Sequence, residues 1–500
     1  MVQPPVLAFV LISLFTRAAA QDRPAEEELF GAPASAAPKE GAPSPPAGPA
    51  PPASGGGEGK NAGDELEGEA GAQKRLLGAL ARTDNPLQIG GLIYLRSVAT
   101  IEEHTSPSQW PLSAPCLTDL YLDTRPTDRV RGFVLGRMLF DPTQGSTVSL
   151  GPAGLAVGPS AANPRVLLDQ LWLRFDVART AFLTVGRQHV KWGVGRFWNP
   201  TDFLHALRRN PLDLFDERTG TFMARVHFPW EARGWNFYAM AVLEPVGTQA
   251  ETGQAGAASG GIDSQLGGVG GAGRAEFVLG GWELGIDGLA QRGLDPRLGV
   301  DLSGGIGEID LRGEVALRTG SDLPLYSAPS LTALGGYYPT GLRPQATVGA
   351  EWVHNYTDKD AFTIGLEYFY NANGYRDRTL YPTLLYNNSF TPFYLGRHYA
   401  GVYASLPKPG SWNLHTFTLT VLGNLSDKSA VARLDWNMAL LTYLTLEAYL
   451  QQHFGEDGGE FRLSIDADFP VPQPSGEPAI FHVAVGAPVV DFGLGLRLAL

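Results

Sequence analysis

Residues Glu308–Arg318 read EIDLRGEVALR, and the alternation in this stretch decides the fold. In an extended chain successive side chains point to opposite faces. Ile309, Leu311, Gly313, Val315 and Leu317 therefore share one face, and Glu308, Asp310, Arg312, Glu314 and Arg318 share the other. A packed soluble core does not accept a face so densely charged. A water-filled barrel does, with its charged face on the lumen and its apolar face on lipid.

The same two-residue period runs from Leu87 to the end of the chain. Ile89, Gly91, Ile93 and Leu95 oppose Tyr94 and Arg96. Leu171, Leu173, Phe175 and Val177 oppose Gln170, Trp172, Arg174 and Asp176, while Leu463, Ile465, Ala467 and Phe469 oppose Arg462, Ser464, Asp466 and Asp468. The count predicts an all-β, antiparallel, up-and-down transmembrane barrel of about 20 strands, with 18 or 16 also compatible with the pattern. Connection lengths argue the same way. Short turns, such as Arg125–Asp128, Ala178–Thr180 and Gly280-Gly281, follow even-numbered strands. Long connections, such as Asp141–Arg165, Trp192–Thr219 and Ala372–Gly396, follow odd-numbered ones. Short periplasmic turns alternating with long extracellular loops is the arrangement of outer-membrane barrels.

Composition is consistent with this and excludes other classes. Charged residues make up 18% of the 500 positions and aromatics 10%, and no apolar run beyond the first twenty residues is long enough for a membrane helix. A net charge of −13 speaks against nucleic acid as a partner. The single cysteine, Cys116, can form no internal disulfide.

Ahead of the barrel, residues 1–20 read as a signal peptide, with an apolar stretch from Val6 to Phe15 and the small-residue site Ala18-Ala19-Ala20. Residues 21–63, rich in Pro, Ala and Gly, are expected to be a disordered periplasmic segment, because they cannot bury enough apolar surface to offset their ordering entropy. Residues 64–86 are expected to be a short helical or linking segment, and 87–500 the barrel.

Four stretches carry a resemblance: GRQHVKWGVGRFWNPTD (Gly186–Asp202), VGAEW (Val348–Trp352), GLEYFYNANGY (Gly365–Tyr375) and GNLSDKS (Gly423–Ser429). With them the region 87–500 resembles a Gram-negative, porin-like outer-membrane family of unassigned substrate. The resemblance implies a barrel in the outer membrane of a Gram-negative cell and says little about the solute. The last strand, 489–500, alternates Phe492, Leu494, Leu496, Leu498 and Leu500 with small or polar residues. It is similar to the segment by which the barrel-assembly machinery takes up outer-membrane proteins, although it closes on Leu500 where an aromatic residue is usual.

The candidate site is the connection after the fifth strand. In general porins that loop folds into the lumen and narrows it. Here Trp192, Phe197, Trp198, Phe203 and Phe215, with the turn-forming Asn199-Pro200-Thr201-Asp202, indicate an ordered loop. Leu183 and Val185 share a face with Arg187, His189 and Lys191, and a cation facing mid-membrane lipid costs ~2–4 kcal/mol. The expectation is therefore that the three bases turn inward, or that a bulge near Gly186 re-aims them. The predicted constriction comprises Arg187, His189, Lys191, Arg196, Asp202, Arg208 and Arg209. Asp310, Glu314, Glu351 and Glu367 form the opposing lumen wall.

No cofactor, metal site or enzymatic activity is expected. His354, His398, His415 and His482 lie in no motif with a nucleophile, and His205, His227 and His453 lack metal-ligand spacing. Two functions stay open. One is a passive diffusion channel for small hydrophilic solutes, anions included, with loop 192–219 as constriction and a weak anion preference. The other is a non-conducting barrel that serves as a surface-binding or scaffold protein. The partners implied are outer-membrane lipids, lipopolysaccharide and small polar solutes. Oligomeric state, a trimer among the options, is left open.

Overall fold

The computed structural model describes residues 86–500, apart from 109, 144–162, 206–207, 214, 217, 245–267, 322, 330–335, 358–359, 388 and 472–478. The expected signal peptide, disordered segment and all but the last residue of the linking segment lie outside the described residues.

Eighteen strands span the barrel: β1 (Leu87–Glu102), β2 (Cys116–Thr127), β3 (Val130–Phe140), β4 (Arg165–Val177), β5 (Ala181–Gln188), β6 (Thr221–Trp230), β7 (Trp235–Val242), β8 (Gly270–Leu279), β9 (Trp282–Ala290), β10 (Arg297–Ile306), β11 (Ile309–Thr319), β12 (Leu342–Asn355), β13 (Ala361–Asn371), β14 (His398–Pro407), β15 (His415–Asn424), β16 (Ser429–Leu441), β17 (Leu444–Phe454) and β18 (Pro488–Ala499). Each pairs antiparallel with its neighbours in sequence, and β18 pairs with β1 through Leu92↔Ala499 to Ile101↔Val490, which closes the sheet. Closure removes the edges whose unpaired amides could not be satisfied in lipid.

The count is two below the expected 20, and equals the first of the stated alternatives, for one reason. Ile465–Val471 and Ala479–Val485, which alternate like barrel strands, pair only with each other, as a hairpin within the connection from β17 to β18. Every long connection follows an odd-numbered strand, although two such connections, 291–296 and 425–428, are short. Turns after even-numbered strands are tight, as at Leu279↔Trp282 and Ile306↔Ile309. Their Gly280 (φ 68°) and Gly307 (φ 66°) take the left-handed backbone such turns need.

Face assignment follows the register, since directly paired residues share a side. Leu171, Leu173, Leu298, Val300, Val348 and Leu366 are exposed and form part of the apolar outer belt. Trp172, Arg225, Tyr238, Asp287, Asp301, Glu314, Glu351 and Glu367 are buried on the inner face. Acids and arginines alternate across neighbouring inner positions: Arg274 bridges Asp287 (2.8 Å) and Asp301 (2.6 Å), Arg312 meets Glu351 (3.1 Å), and Arg497 meets Glu447 (3.2 Å). The inner wall is thereby internally neutralised over much of its height.

Candidate functional site: the loop across the lumen

The connection from β5 to β6 leaves the wall at Gln188 and returns at Thr221. Between these points it lies inside the barrel, and its residues show what holds it there. Val190, Trp192, Phe203 and Leu204 are buried against Met223, Tyr238, Met240, Val242, Leu289 and Ala316, inner-face residues of β6, β7, β9 and β11. Phe197 and Trp198 are buried against Phe369, Tyr399 and Tyr403 of β13 and β14, with the Trp198 ring stacked on Phe369 at 5.7 Å. One loop thus packs on two separate stretches of wall.

Polar bonds fix its backbone. Glu367 of β13 accepts from three consecutive loop amides: Arg196 N at 2.7 Å on Oε2, and Phe197 N and Trp198 N at 2.9 Å on Oε1. Glu314 of β11 accepts from Gly195 N, from Asn199 Nδ2 at 3.0 Å and from Thr201 Oγ1 at 2.9 Å. These carboxylates do for the loop what a helix-capping side chain does for a helix end: they satisfy donors that have no secondary-structure partner. Gly193, at φ +90°, and Gly195 permit the close approach, because a Cβ on either would fall within 3.0 Å of a Glu314 oxygen.

The other end is tied by a chain of charges. Asp119 of β2 receives Arg137 of β3 through two bonds of 2.9 Å. Arg137 also lies 3.5 Å from Asp169 of β4 and donates to the Asp216 carbonyl of the loop at 2.9 Å. Asp169 meets His189 Nε2 at 2.7 Å, His189 Nδ1 meets His205 Nε2 at 3.2 Å, and His205 Nδ1 meets Asp202 at 3.0 Å. Arg218 closes the chain, with Asp202 at 2.9 Å and Asp216 at 2.5 Å. Burial opposes ionisation of Asp202, yet His205 and Arg218 hold its carboxyl below the usual range. Burial lowers His205 below the ordinary imidazole range, against the pull of Asp202.

The expected site residues are placed as follows. Arg187 departs from expectation. It pairs with Leu171 and with Phe222, both exposed, so it lies on the outer face while Thr184, Gly186 and Gln188 point inward. The irregular backbone at Gly186 (φ 129°) does not flip the parity. Arg187 is tolerated because it sits beside the strand end, where a lipid-facing cation costs only about 0–1 kcal/mol, and because Glu244 (2.7 Å) and the Gly220 carbonyl (3.1 Å) receive it. His189 lies past the strand end and turns into the barrel. Lys191 and Arg209 are half-buried on the loop. Arg196 lays its guanidinium on the Tyr403 ring at 3.7 Å. Asp202 is fully committed to the charge chain, and Arg208 lies over Tyr394 at 5.6 Å. Of the opposing wall, Glu314 and Glu367 bind the loop, Glu351 bonds Arg312 and Tyr403, and Asp310 stands across from Glu351 in the register. Sequence reasoning missed Asp169, Arg218 and Asn199. Asp169 was hidden because it is the extra residue of a bulge opposite Leu135-Gly136 and so breaks the alternation.

An open cavity adjoins the loop on the long-loop side. It is lined by Arg208 and His205 of the loop, Arg297 and Arg318 at the ends of β10 and β11, and polar residues after β13, Asn371 and Asn373 among them.

No protein-family model matches the sequence, and no curated protein matches it. Among solved structures the chain is similar to OprB of Pseudomonas putida (10% identity, 87% of this chain and 97% of that one, TM-score 0.46). It is also similar to OccAB1 of Acinetobacter baumannii (12% identity, 83% and 96%, TM-score 0.47) and to OccK11 of Pseudomonas aeruginosa (10% identity, 83% and 96%, TM-score 0.44). A closed, even-stranded barrel with an apolar outer belt, a charged interior and long connections at one end only is built for one setting, and the chain is an outer-membrane β-barrel of porin-like architecture.

Proposed function

We propose that the barrel is a passive diffusion channel for small hydrophilic solutes, that the loop between β5 and β6 is its constriction, and that it favours anions. The observation that carries this is the loop itself: a long connection drawn through the lumen and bonded to walls on both sides, beside a solvent cavity. Selectivity is set where the path is narrowest, because few waters screen the field there. Net charge of −13 would suggest cation preference. Several inner acids are bonded to loop amides and arginines, and Arg208, Arg297 and Arg318 line the cavity.

Planar-bilayer recording of the purified protein in a salt gradient tests the proposal. The expected result is a reversal potential of anion-selective sign that moves towards cations in an Arg208→Gln, Arg318→Gln double variant. A reversal potential untouched by that change would remove these residues from the conduction path. The second reading, a non-conducting barrel, is favoured by the complete burial of Trp192 and Trp198 in the lumen. Absence of any conductance would select it.

A further inference from the structure

We propose that His189 and His205 form a binding site for a divalent transition-metal ion of the zinc or copper type, where the lumen loop folds back on its own start. This goes beyond the channel reading and does not depend on it. The geometry of the two rings and the support behind each of them carry the proposal.

The rings present nitrogens to each other, not faces. His189 Nδ1 lies 3.2 Å from His205 Nε2, with the ring centroids 5.3 Å apart and the planes tilted by 36°. The opposite nitrogen of each ring is already engaged, His189 Nε2 with Asp169 at 2.7 Å and His205 Nδ1 with Asp202 at 3.0 Å. A carboxylate accepts and does not donate, so each ring places its N–H there and turns a lone pair towards its neighbour. Two lone pairs this close repel unless a cation lies between them. A metal ion with bonds of about 2.0–2.1 Å to both nitrogens spans the 3.2 Å gap at an angle of about 100°, near the tetrahedral value.

The surroundings match what such an ion requires. A metal-binding imidazole donates its other N–H to a carboxylate, which fixes the tautomer, aims the ring and strengthens the bare nitrogen as a ligand. Both rings have that support, and the carboxylates are themselves held. Asp169 is 1% exposed, accepts from Gly220 N at 3.2 Å and lies 3.5 Å from Arg137, while Asp202 takes Arg218 at 2.9 Å. Imidazole suits zinc, copper and nickel, whereas magnesium and calcium take oxygen ligands. Asp202 and His205 line the open cavity beside the loop, which gives an ion a route from solvent. Among the described residues no three His, Cys, Asp or Glu side chains converge as a ligand set, so water completes the coordination and the ion is exchangeable. Spacing along the chain hid this pair, because sixteen positions separate two residues that only the folded loop brings together.

Calorimetric titration of the purified, tag-free protein in detergent at neutral pH, stripped beforehand with a chelator, tests the site with Zn2+, Cu2+ and Mg2+. Zn2+ and Cu2+ should bind saturably with one ion per barrel, and excess Mg2+ should not displace them. His189→Gln and His205→Gln should each weaken Zn2+ by about tenfold or more, since loss of even a supporting partner costs about that much. Electron paramagnetic resonance of Cu2+ on the unaltered protein covers the case in which these variants do not fold. Splitting from two imidazole nitrogens is expected, and a spectrum without it overturns the proposal. Zn2+ binding that survives undiminished in both histidine variants, displacement by Mg2+, or no binding at all overturns it as well.

Discussion

His189 Nδ1 lies 3.2 Å from His205 Nε2, and each ring turns its other nitrogen to a buried carboxylate, Asp169 for His189 and Asp202 for His205. The pair joins the wall, through Asp169 on β4, to the loop that crosses the lumen. Arg137, Arg218, Asp119 and Asp216 complete its charged surroundings.

The loop's hold on the wall should weaken in acid. Burial lowers His205 in the folded protein below its value of 6.5 in the open chain. The open chain therefore takes up a proton that the folded loop resists, and this contribution is complete above about pH 6.5 and is lost as pH falls through the lower folded value. Protection factors of loop amides, taken relative to the intrinsic exchange rate at each pH, should fall on acidification from neutral pH, and His205→Gln should flatten that response. An unchanged acid response in the variant would place the sensitivity elsewhere.

Glu367→Gln should release the middle of the loop. The carboxylate takes three backbone amides, and its replacement sets an NH2 group against some of them. Each hydrogen bond to a charged group is worth about 1.5–3 kcal/mol. The expected outcome is proteolytic cleavage within 195–205 in the folded barrel, together with noisier conductance. A protected, quiet loop would show that aromatic packing alone holds it.

Gly193→Ala should act through the same contact from the other side. The position combines φ +90° with a Cβ that would come within 2.5 Å of Glu314 Oε2. Strain and displacement together should lower the thermal midpoint of the heat-modifiability shift, by more than Gly136→Ala, where a Cβ meets nothing within 4 Å. Equal midpoints for the two variants would contradict the packing described for the loop.

A second pH response is expected in the connection after β17. Glu460 accepts from Tyr399 Oη at 2.6 Å and Asn424 Nδ2 at 2.8 Å, yet burial outweighs these bonds and pushes its carboxyl up to about 8. Its contribution is present in full below about pH 4.5 and is lost as pH rises through about 8. Protection factors of the Phe393 and Phe461 amides, taken relative to the intrinsic exchange rate at each pH, should fall in mild alkali, and Glu460→Gln should remove that fall.

Arg187→Gln should leave ion selectivity where it is. The side chain lies on the outer face with Glu244 as its partner. A shifted reversal potential in this variant would reverse its assigned face.

Much of the fold was legible in the chain because a barrel wall is a local pattern. Alternation at Ile309–Leu317 names two faces without reference to any distant residue, and turn lengths name the two ends. The sequence also determined that a loop rich in Trp and Phe after β5 is ordered. Only the tertiary structure decided what each polar residue does. Arg187 looked like a lumen base because mid-membrane lipid forbids cations, but its height at the strand end removes that penalty. Asp169 was invisible because a bulge interrupts the period on which the reading depends. Ile465–Val471 counted as a wall strand because periodicity records that a strand exists and not which strand it pairs with. Glu314 and Glu367 were assigned to the far wall from the alternation of β11 and β13 alone. That they hold the loop's amides, and do not face open water, depends on residues more than a hundred positions apart meeting in space, and no short-range signal encodes such a meeting.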